Sequence, residues 1–313
     1  MNYSSMSRVN NEFDHKYANL LANVFNYGQD IEDERTGVGT RSLFGTSLLL
    51  DISEKFPAIT LRKIPWNAIV AENLAFIRGY DNAQLFRDLG CNFWTANANE
   101  TKSWLYNQNR KGQDDLGRIY GVQWRDWRKS DGSSVDQFKK LISTLRRNPS
   151  DRRMIVSAWN PGELDEMALP PCHMMFQCYV RRKSNVDPVN RLDLKVYIRS
   201  WDLALGAPSN IAGYALLNHI ICGLTDLHPG RLFIDAGDYH IYFNHFEAVK
   251  QITSRDSFEP PAVKCMWPDN DPSDNQQSIL DKRLYWLLHV AETKDFQLVG
   301  YEAHPNIKME MAV

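Results

Sequence analysis

The chain has 313 residues, of which 43% are hydrophobic, enough to build a large buried core. Its 36 lysines and arginines nearly balance 38 acidic residues, and this balance argues against a protein that binds nucleic acid or an anionic membrane through charge. No apolar run approaches the roughly 20 residues of a membrane span, and five cysteines without CxxC spacing favour reduced thiols in a cytoplasmic protein over a disulfide framework or a zinc site.

The hydrophobic periodicity predicts a mixture of helices and strands. Apolar residues at i, i+3 and i+4 spacing indicate an amphipathic helix over 11–28, and alternation over 191–199 gives the clearest strand signal. The segment 211–224 is apolar on nearly all sides, which predicts a buried helix. The other predicted elements, in chain order, are strand 42–52, helix 65–78, helix 136–147, strand 154–159, strand 231–238, helix 243–252 and strand 297–301.

Polar and turn-forming residues interrupt this pattern in three places. The segment 1–14 is polar and is expected to be a flexible N-terminal extension without a signal peptide. Residues 97–117, rich in Asn, Asp and Gly, are predicted to form a surface insertion, and residues 255–275, rich in Pro and Asp, a loop. Because there are no internal repeats and no low-complexity linker, we interpret residues 1–313 as one α+β domain.

The stretch around Cys172 combines a rigid turn with a predicted strand. Pro170 and Pro171 stiffen the approach, because each ring fixes φ and removes a backbone donor. The apolar run 174–180 that follows predicts a buried strand. A thiol at this junction is well placed to act as a nucleophile, although a buried structural cysteine is the commoner interpretation of a single Cys.

Arginines at three places in the chain are candidate phosphate ligands. Arg152 and Arg153 precede a predicted strand, Arg35 precedes a GxG turn, and Arg199 ends the clearest strand. Arginine presents bidentate donors that match phosphate oxygens, whereas solvated surface positions are the alternative interpretation. Arginines near Cys172 would also favour its reactive thiolate form.

The segment after the clearest strand offers a hydroxyl, a carboxylate and an amide. Asn210 has one acceptor and two donors, enough to recognise an imide edge such as that of uracil. Ser200 can add a hydroxyl donor, and Asp202 a carboxylate near a reacting ring. An ordinary turn built around Gly and Pro is the alternative.

Four further positions have both a structural and a functional interpretation. His240 and Tyr242 are two residues apart, so their side chains share a face if the strand continues. Binding of a sugar hydroxyl by this pair is favoured over a metal site, because no carboxylate–histidine set with suitable spacing completes one. A structural histidine is the alternative. Glu72 lies on an apolar helix, where a carboxyl with a shifted pKa can move protons through water; a surface glutamate is the alternative. Taken singly, Trp94 and Tyr120 are typical of core aromatics.

At these residues the chain resembles thymidylate synthase, from about Asn19 to Val313. The resemblance implies an α+β fold of the thymidylate synthase type, with a large mixed β-sheet flanked by helices and a homodimer whose sheets pack back to back. The matching motifs are DERTGVG at 33–39, YGVQW at 120–124, SDRR at 150–153, SAWN at 157–160, PPCH at 170–173, RSWD at 199–202, LG at 205–206, NIA at 210–212, GDYHIY at 237–242 and KMEMAV at 308–313.

The resemblance also implies a role for each candidate. Cys172 would add to C6 of dUMP, Glu72 with Tyr120 would organise a proton-transferring water, and Asp202 would act beside the folate. Arg152 and Arg153 would reach across the dimer interface to the phosphate. The implied dUMP ligands are Arg35, Arg152, Arg153, Arg199, Ser200, Asn210, His240 and Tyr242, and those of 5,10-methylenetetrahydrofolate are Trp94, Asp202, Leu205, Gly206 and Val313.

Three positions depart from the residues usual in the family: Thr95 replaces Asp, Ile198 replaces Gln, and Ser209 replaces Phe. A fourth, Ala75 in place of the Trp of many members, carries less weight because some bacterial synthases have a small residue there. The related phage nucleotide hydroxymethylases also depart at the first three positions, and in them water, not hydride, captures the methylene. Asn210, where dCMP-specific relatives carry Asp, keeps uracil as the expected base.

The resemblance therefore favours a dUMP hydroxymethylase, which forms 5-hydroxymethyl-dUMP and tetrahydrofolate. The synthase-like C-terminal tail points towards the alternative, a thymidylate synthase that forms dTMP and dihydrofolate. A catalytically silent homologue that binds RNA or serves as a scaffold is a third hypothesis, which the thiol, the arginines and the near-neutral charge disfavour.

Overall fold

The computed structural model describes residues 9–32 and 37–310, so the predicted site residues Arg35 and Val313 lie outside the described residues. Helix α1 (Glu12–Tyr27) begins where Asn11 accepts hydrogen bonds from the backbone N–H groups of Phe13 and Asp14. Asn11 and Asp14 are fully buried. The predicted flexible extension 1–14 is therefore wrong over its last residues, because a capped helix already begins at Glu12.

A six-stranded mixed sheet forms the centre of the structure, in the order β1-β2-β8-β7-β6-β5. Strands β7 and β8 run parallel, whereas the other neighbours are antiparallel. This confirms the predicted α+β class with a large mixed sheet flanked by helices. The sheet strands are β1 (Gln29–Ile31), β2 (Thr40–Asp51), β5 (Ile155–Ser157), β6 (His173–Arg181), β7 (Arg191–Asp202) and β8 (His228–Tyr242), and two small ribbons pair β3 (Trp127–Arg128) with β4 (Ser134–Val135) and β9 (Ala262–Cys265) with β10 (Phe296–Val299).

Helices cover one face of this sheet. Helix α8 (Ala207–Thr225) is buried on nearly every side against β7 and β8, as its all-round apolar sequence predicts. None of the helices in the described ranges has the length and apolar character needed to cross a membrane. The remaining helices are α2 (Trp66–Arg78), α3 (Ala83–Asp88), α4 (Thr95–Asn99), α5 (Lys102–Leu105), α6 (Tyr120–Arg125), α7 (Gln137–Arg147), α9 (Phe246–Thr253) and α10 (Gln276–His289).

Two predictions made from polar composition are wrong. The segment 97–117 is not a surface insertion, because Trp104 is buried and donates its indole N–H to the Asp115 carbonyl over 2.7 Å. Asn99 and Asp114 bond to each other, so their polarity is satisfied inside the fold. The predicted loop 255–275 contains strand β9, which pairs with β10.

The opposite face of the sheet carries a row of side chains from five strands. The register aligns Leu49, Phe233, Lys195, Gln177 and Ile155 across β2, β8, β7, β6 and β5. Their neighbours along each strand are buried in the core, so this row points away from it. Leu49 is 40% exposed and Ile155 is 42% exposed in the single chain.

Candidate active site

Cys172 is the residue that directly precedes strand β6, and its main chain is fixed on both sides. Its N–H donates to the hydroxyl of Tyr120 over 2.7 Å. Its carbonyl accepts from the N–H of Arg199, on the neighbouring strand β7, over 2.9 Å. The thiol therefore projects from a backbone held by two elements.

Arg199 ties the turn before Cys172 to the thiol. Its Nε donates to the Pro171 carbonyl and its Nη2 to the Pro170 carbonyl, each over 3.0 Å. Nη2 also lies 3.8 Å from Cys172 Sγ, where a guanidinium favours the thiolate. Cys172 is partly exposed, whereas burial raises the thiol pKa of each of the other four cysteines, Cys91, Cys178, Cys222 and Cys265.

Glu72 faces the site from helix α2. Burial raises the pKa of its carboxyl to about 7, although the hydrogen bond from Trp94 Nε1, 2.8 Å long, opposes this shift. The Tyr120 ring packs edge-on against Trp94 at 5.5 Å and against His173 at 5.7 Å. A carboxyl with a pKa near neutrality can both accept and return a proton, so this cluster can exchange protons beside Cys172.

A cleft of about 760 Å³ opens in front of Glu72. Its volume lies within the roughly 300–1,000 Å³ typical of ligand pockets. The walls combine apolar side chains with three cations, Arg62, Lys63 and Lys308. The predicted site residues among its lining are Glu72, Asp202, Leu205, Gly206 and Asn210.

The turn after strand β7 shapes one wall of this cleft. Asp202 Oδ1 accepts from the N–H groups of Ala204 and Leu205, over 3.1 and 3.2 Å. Buried Arg62 donates to the Leu205 carbonyl over 2.7 Å and to that of Ala204. Sequence reasoning missed Arg62, because it lies in an irregular segment whose partner turn is distant in sequence.

Asn210 is oriented by its neighbours at the start of helix α8. The indole N–H of Trp201 donates to Asn210 Oδ1 over 3.2 Å. His173 contacts the same amide, and burial lowers the pKa of its ring to about 4 despite that hydrogen bond. His173 is therefore neutral at neutral pH; it belongs to the site, although only its PPCH motif marked it in the sequence.

His240 and Tyr242 reach the site from strand β8. His240 pairs with Asp202 across the parallel β7–β8 ladder, and its carbonyl accepts from the N–H of Leu203. Its Nδ1 lies 2.5 Å from Asp238 Oδ1, and its ring packs edge-on against Tyr242 at 5.1 Å. This pair therefore stands next to the cleft wall that Asp202 forms.

Arg152 and Arg153 are not brought to Cys172 within one chain. Both are exposed, and Arg153, with a side chain 89% exposed, binds Asp151. Arg153 also lines a separate cavity of about 200 Å³. Trp94 contacts Glu72 and does not appear among the described residues that line the cleft.

The described site thus joins a partly exposed thiol, a carboxyl with a raised pKa and an oriented amide at one edge of a mixed sheet. A sequence model of thymidylate synthase matches residues 15–313. The chain therefore belongs to the thymidylate synthase family, whose members transfer a one-carbon unit from methylenetetrahydrofolate to dUMP.

Proposed function

We propose that this chain is a dUMP hydroxymethylase. Within the family's one-carbon transfer, it would convert dUMP, 5,10-methylenetetrahydrofolate and water into 5-hydroxymethyl-dUMP and tetrahydrofolate. The position of Ser209 supports this choice of product, because Ser209 lines both the cleft and a recess beside Glu72.

The described residues supply the steps on the nucleotide. Cys172 Sγ bonds to C6, Asn210 holds the imide edge, and the C5 proton leaves through Glu72 and water. When bound, methylenetetrahydrofolate supplies the methylene that attaches to C5, and both bonds from that methylene to the folate nitrogens are broken by the end of the reaction. Water adds its oxygen to the exocyclic methylene and gives up one proton, which Glu72 accepts and passes on. The C6–S bond then breaks and Cys172 leaves as the thiolate. The two protons released, one from C5 and one from water, end on the two folate nitrogens, which yields tetrahydrofolate. No hydride moves, so the folate is not oxidised.

The recess is large enough for the attacking water. Its volume is about 20 Å³, and one water needs about 10–15 Å³. Polar side chains at its walls, those of Ser209, His173, Tyr214 and Glu72, can hold a water there. A phenylalanine at 209 would fill this space with an aromatic ring. Because hydride transfer requires that water be excluded, a serine here favours capture by water.

The other two departures act less directly. Ile198 is buried and pairs with His173 across strands β6 and β7. Thr95 accepts a hydrogen bond from Arg87, 3.3 Å long. Of the three departing positions, Ser209 is the one whose side chain lines the cleft among the described residues. We therefore assign the choice of product mainly to Ser209.

The cleft suits a reduced folate. Ile64, Phe93 and Leu205 offer apolar surface for its ring system, and Lys63 and Lys308 offer positive charge for its glutamate carboxylates. We also propose a homodimer. The row of side chains from Leu49 to Ile155 provides an open sheet face for a second copy. Arg152 and Arg153 are exposed, as arginines that reach a neighbouring site must be, and Arg153 would exchange its contact with Asp151 for the phosphate.

A second candidate, thymidylate synthase itself, is favoured by one observation: tail residues Ile307, Lys308 and Met309 wall the cleft, which restricts entry of solvent. Incubation of the protein with dUMP and methylenetetrahydrofolate distinguishes the two. The proposal expects 5-hydroxymethyl-dUMP by mass spectrometry and no rise in dihydrofolate absorbance. Formation of dTMP with that rise would establish the synthase, and no folate-dependent change in dUMP would contradict both.

A further inference from the structure

The C-terminal segment forms one wall of the cleft. Residues 306–309 line it, as does the turn that follows Asp202, although they adopt no helix or strand. Ile307 and Met309 are partly buried against the core. The shape of the cleft therefore depends on what holds this irregular segment in place.

The segment is anchored at both ends. Before it, Arg255 Nη1 donates to the Pro305 carbonyl over 3.0 Å, and His304 N–H donates to the Thr60 carbonyl over 2.9 Å. After it, the Glu310 carbonyl lies 2.8 Å from His245 Nε2. In the part of the chain that the structure describes, no other hydrogen bond joins residues 306–310 to the body of the protein.

His245 is built into the body of the fold. It is 1% exposed and sits in the short turn between β8 and α9. Because a carbonyl oxygen only accepts, Nε2 must carry the proton of this hydrogen bond. The ring packs edge-on against Tyr242 at 5.8 Å, and Tyr242 packs against His240. A series of contacts therefore connects His240 through Tyr242 and His245 to the Glu310 carbonyl of the tail.

We propose that His245 is a positioning residue that fastens the C-terminal wall of the cleft to the His240–Tyr242 strand. A side chain held this rigidly can fix the carbonyl of a segment that has no regular structure of its own. Loss of the donor would leave residues 306–310 held by the packing of Ile307 and Met309 and by the hydrogen bonds of His304 and Pro305 before them, so the wall would open more often. The expected opening of residues 306–310 depends only on these contacts. The expected change in kinetics also rests on the proposed function.

Limited digestion with trypsin, which cleaves after exposed Lys308, tests the role directly when the shortened chain is followed by mass spectrometry. His245→Phe keeps a ring against Tyr242 and removes the donor, so the segment should open more often and cleavage after Lys308 is expected to accelerate about tenfold. His245→Gln, whose amide N–H can reach the same carbonyl, is expected to restore most of the resistance. His219→Phe is the matched control, because the ring contact of His219 among the described residues is with Phe56.

The kinetic readout separates positioning from general damage. His245→Phe is expected to raise KM for the folate about tenfold, with dUMP affinity by calorimetry changed less than about twofold. Unchanged cleavage after Lys308 in His245→Phe, or equal acceleration in His219→Phe, would overturn the proposal. Since digestion is carried out without substrate, this result is independent of which nucleotide the enzyme forms.

Discussion

Trp94 Nε1 donates a 2.8 Å hydrogen bond to Glu72 Oε1; Glu72 lies on helix α2, and Trp94 directly precedes helix α4. Burial raises the pKa of Glu72 to about 7, and the indole N–H opposes this rise because it stabilises the carboxylate. The family resemblance implies that Trp94 contacts the folate, and in the structure its indole also tunes the pKa of the acid–base group. The balance between these two effects sets the pH range in which Glu72 can act.

Trp94→Phe should therefore shift the pH dependence of the enzyme. Without the indole donor, the pKa of Glu72 rises further, so less carboxylate is present at neutral pH. The rising limb of kcat/KM against pH, which reports the free enzyme, should move to higher pH. Trp104→Phe is the matched control, since buried Trp104 bonds only to the backbone of Asp115 among the described residues. An unshifted limb in Trp94→Phe would contradict the assignment.

Glu72→Gln should make the protein more stable at neutral pH while it abolishes turnover. The folded-state pKa of Glu72 is about 7 and its ordinary value is 4.5, so the folded protein holds this proton more tightly than the unfolded chain. The stability that the protonated carboxyl confers is complete below pH 4.5 and is lost as pH rises through 7.

Denaturant unfolding of wild type and Glu72→Gln at several pH values measures this loss. The variant's advantage should grow between pH 4.5 and 7 and then level off. Its maximum is about 3 to 4 kcal/mol, because each unit of difference between the folded and unfolded pKa corresponds to about 1.4 kcal/mol. A constant difference across this window would show that Glu72 titrates normally. Asp202→Asn serves as the control at a second carboxylate of the cleft.

The proposed exchange of arginines between subunits can be tested by complementation. Cys172→Ser lacks the nucleophile and Arg152→Ala lacks a phosphate ligand, so each should lose nearly all turnover without loss of fold. In a mixed dimer, one of the two sites has native Cys172 and receives native Arg152 from the other chain. Subunit exchange between the two variants should therefore restore activity well above that of either alone.

The control for this experiment mixes Cys172→Ser with Glu72→Gln. Cys172 and Glu72 belong to one chain's site, joined through Tyr120 and Trp94, so no mixed dimer has an intact site. Activity should stay at the level of the separate variants. If the Arg152→Ala mixture is equally inactive, Arg152 does not serve a neighbouring site.

Much of this architecture follows from local pattern. The burial patterns of strand β7 and helix α8 can be predicted from the sequence. In both, whether a side chain is buried follows from its position in the periodicity of its own strand or helix. The same reasoning failed for residues 97–117, since Asn99 and Asp114 bond to each other and Asp114 also pairs with Arg87, so polar residues are satisfied inside the fold. The contacts of Arg62 and His245 were not predicted, because their hydrogen-bond partners lie 143 and 65 positions away and no local pattern encodes such a contact.

Ser209→Phe should change which nucleotide the enzyme forms. The aromatic ring would fill the recess of about 20 Å³ beside Glu72 and displace the water that captures the methylene. The ratio of 5-hydroxymethyl-dUMP to dTMP, measured by mass spectrometry, should fall at least about tenfold. Tritium release from dUMP labelled at C5 precedes the choice of product, so it should persist.

Two further variants keep this prediction testable if the phenylalanine disturbs the fold. Ser209→Val narrows the same recess with less bulk and should shift the ratio in the same direction. Ser103→Phe adds the same ring at an exposed position of helix α5 and should leave the ratio unchanged. Because the recess is defined by the side chains of His173, Tyr214 and residue 209, an unaltered ratio in both Ser209 variants would place the attacking water elsewhere in the cleft.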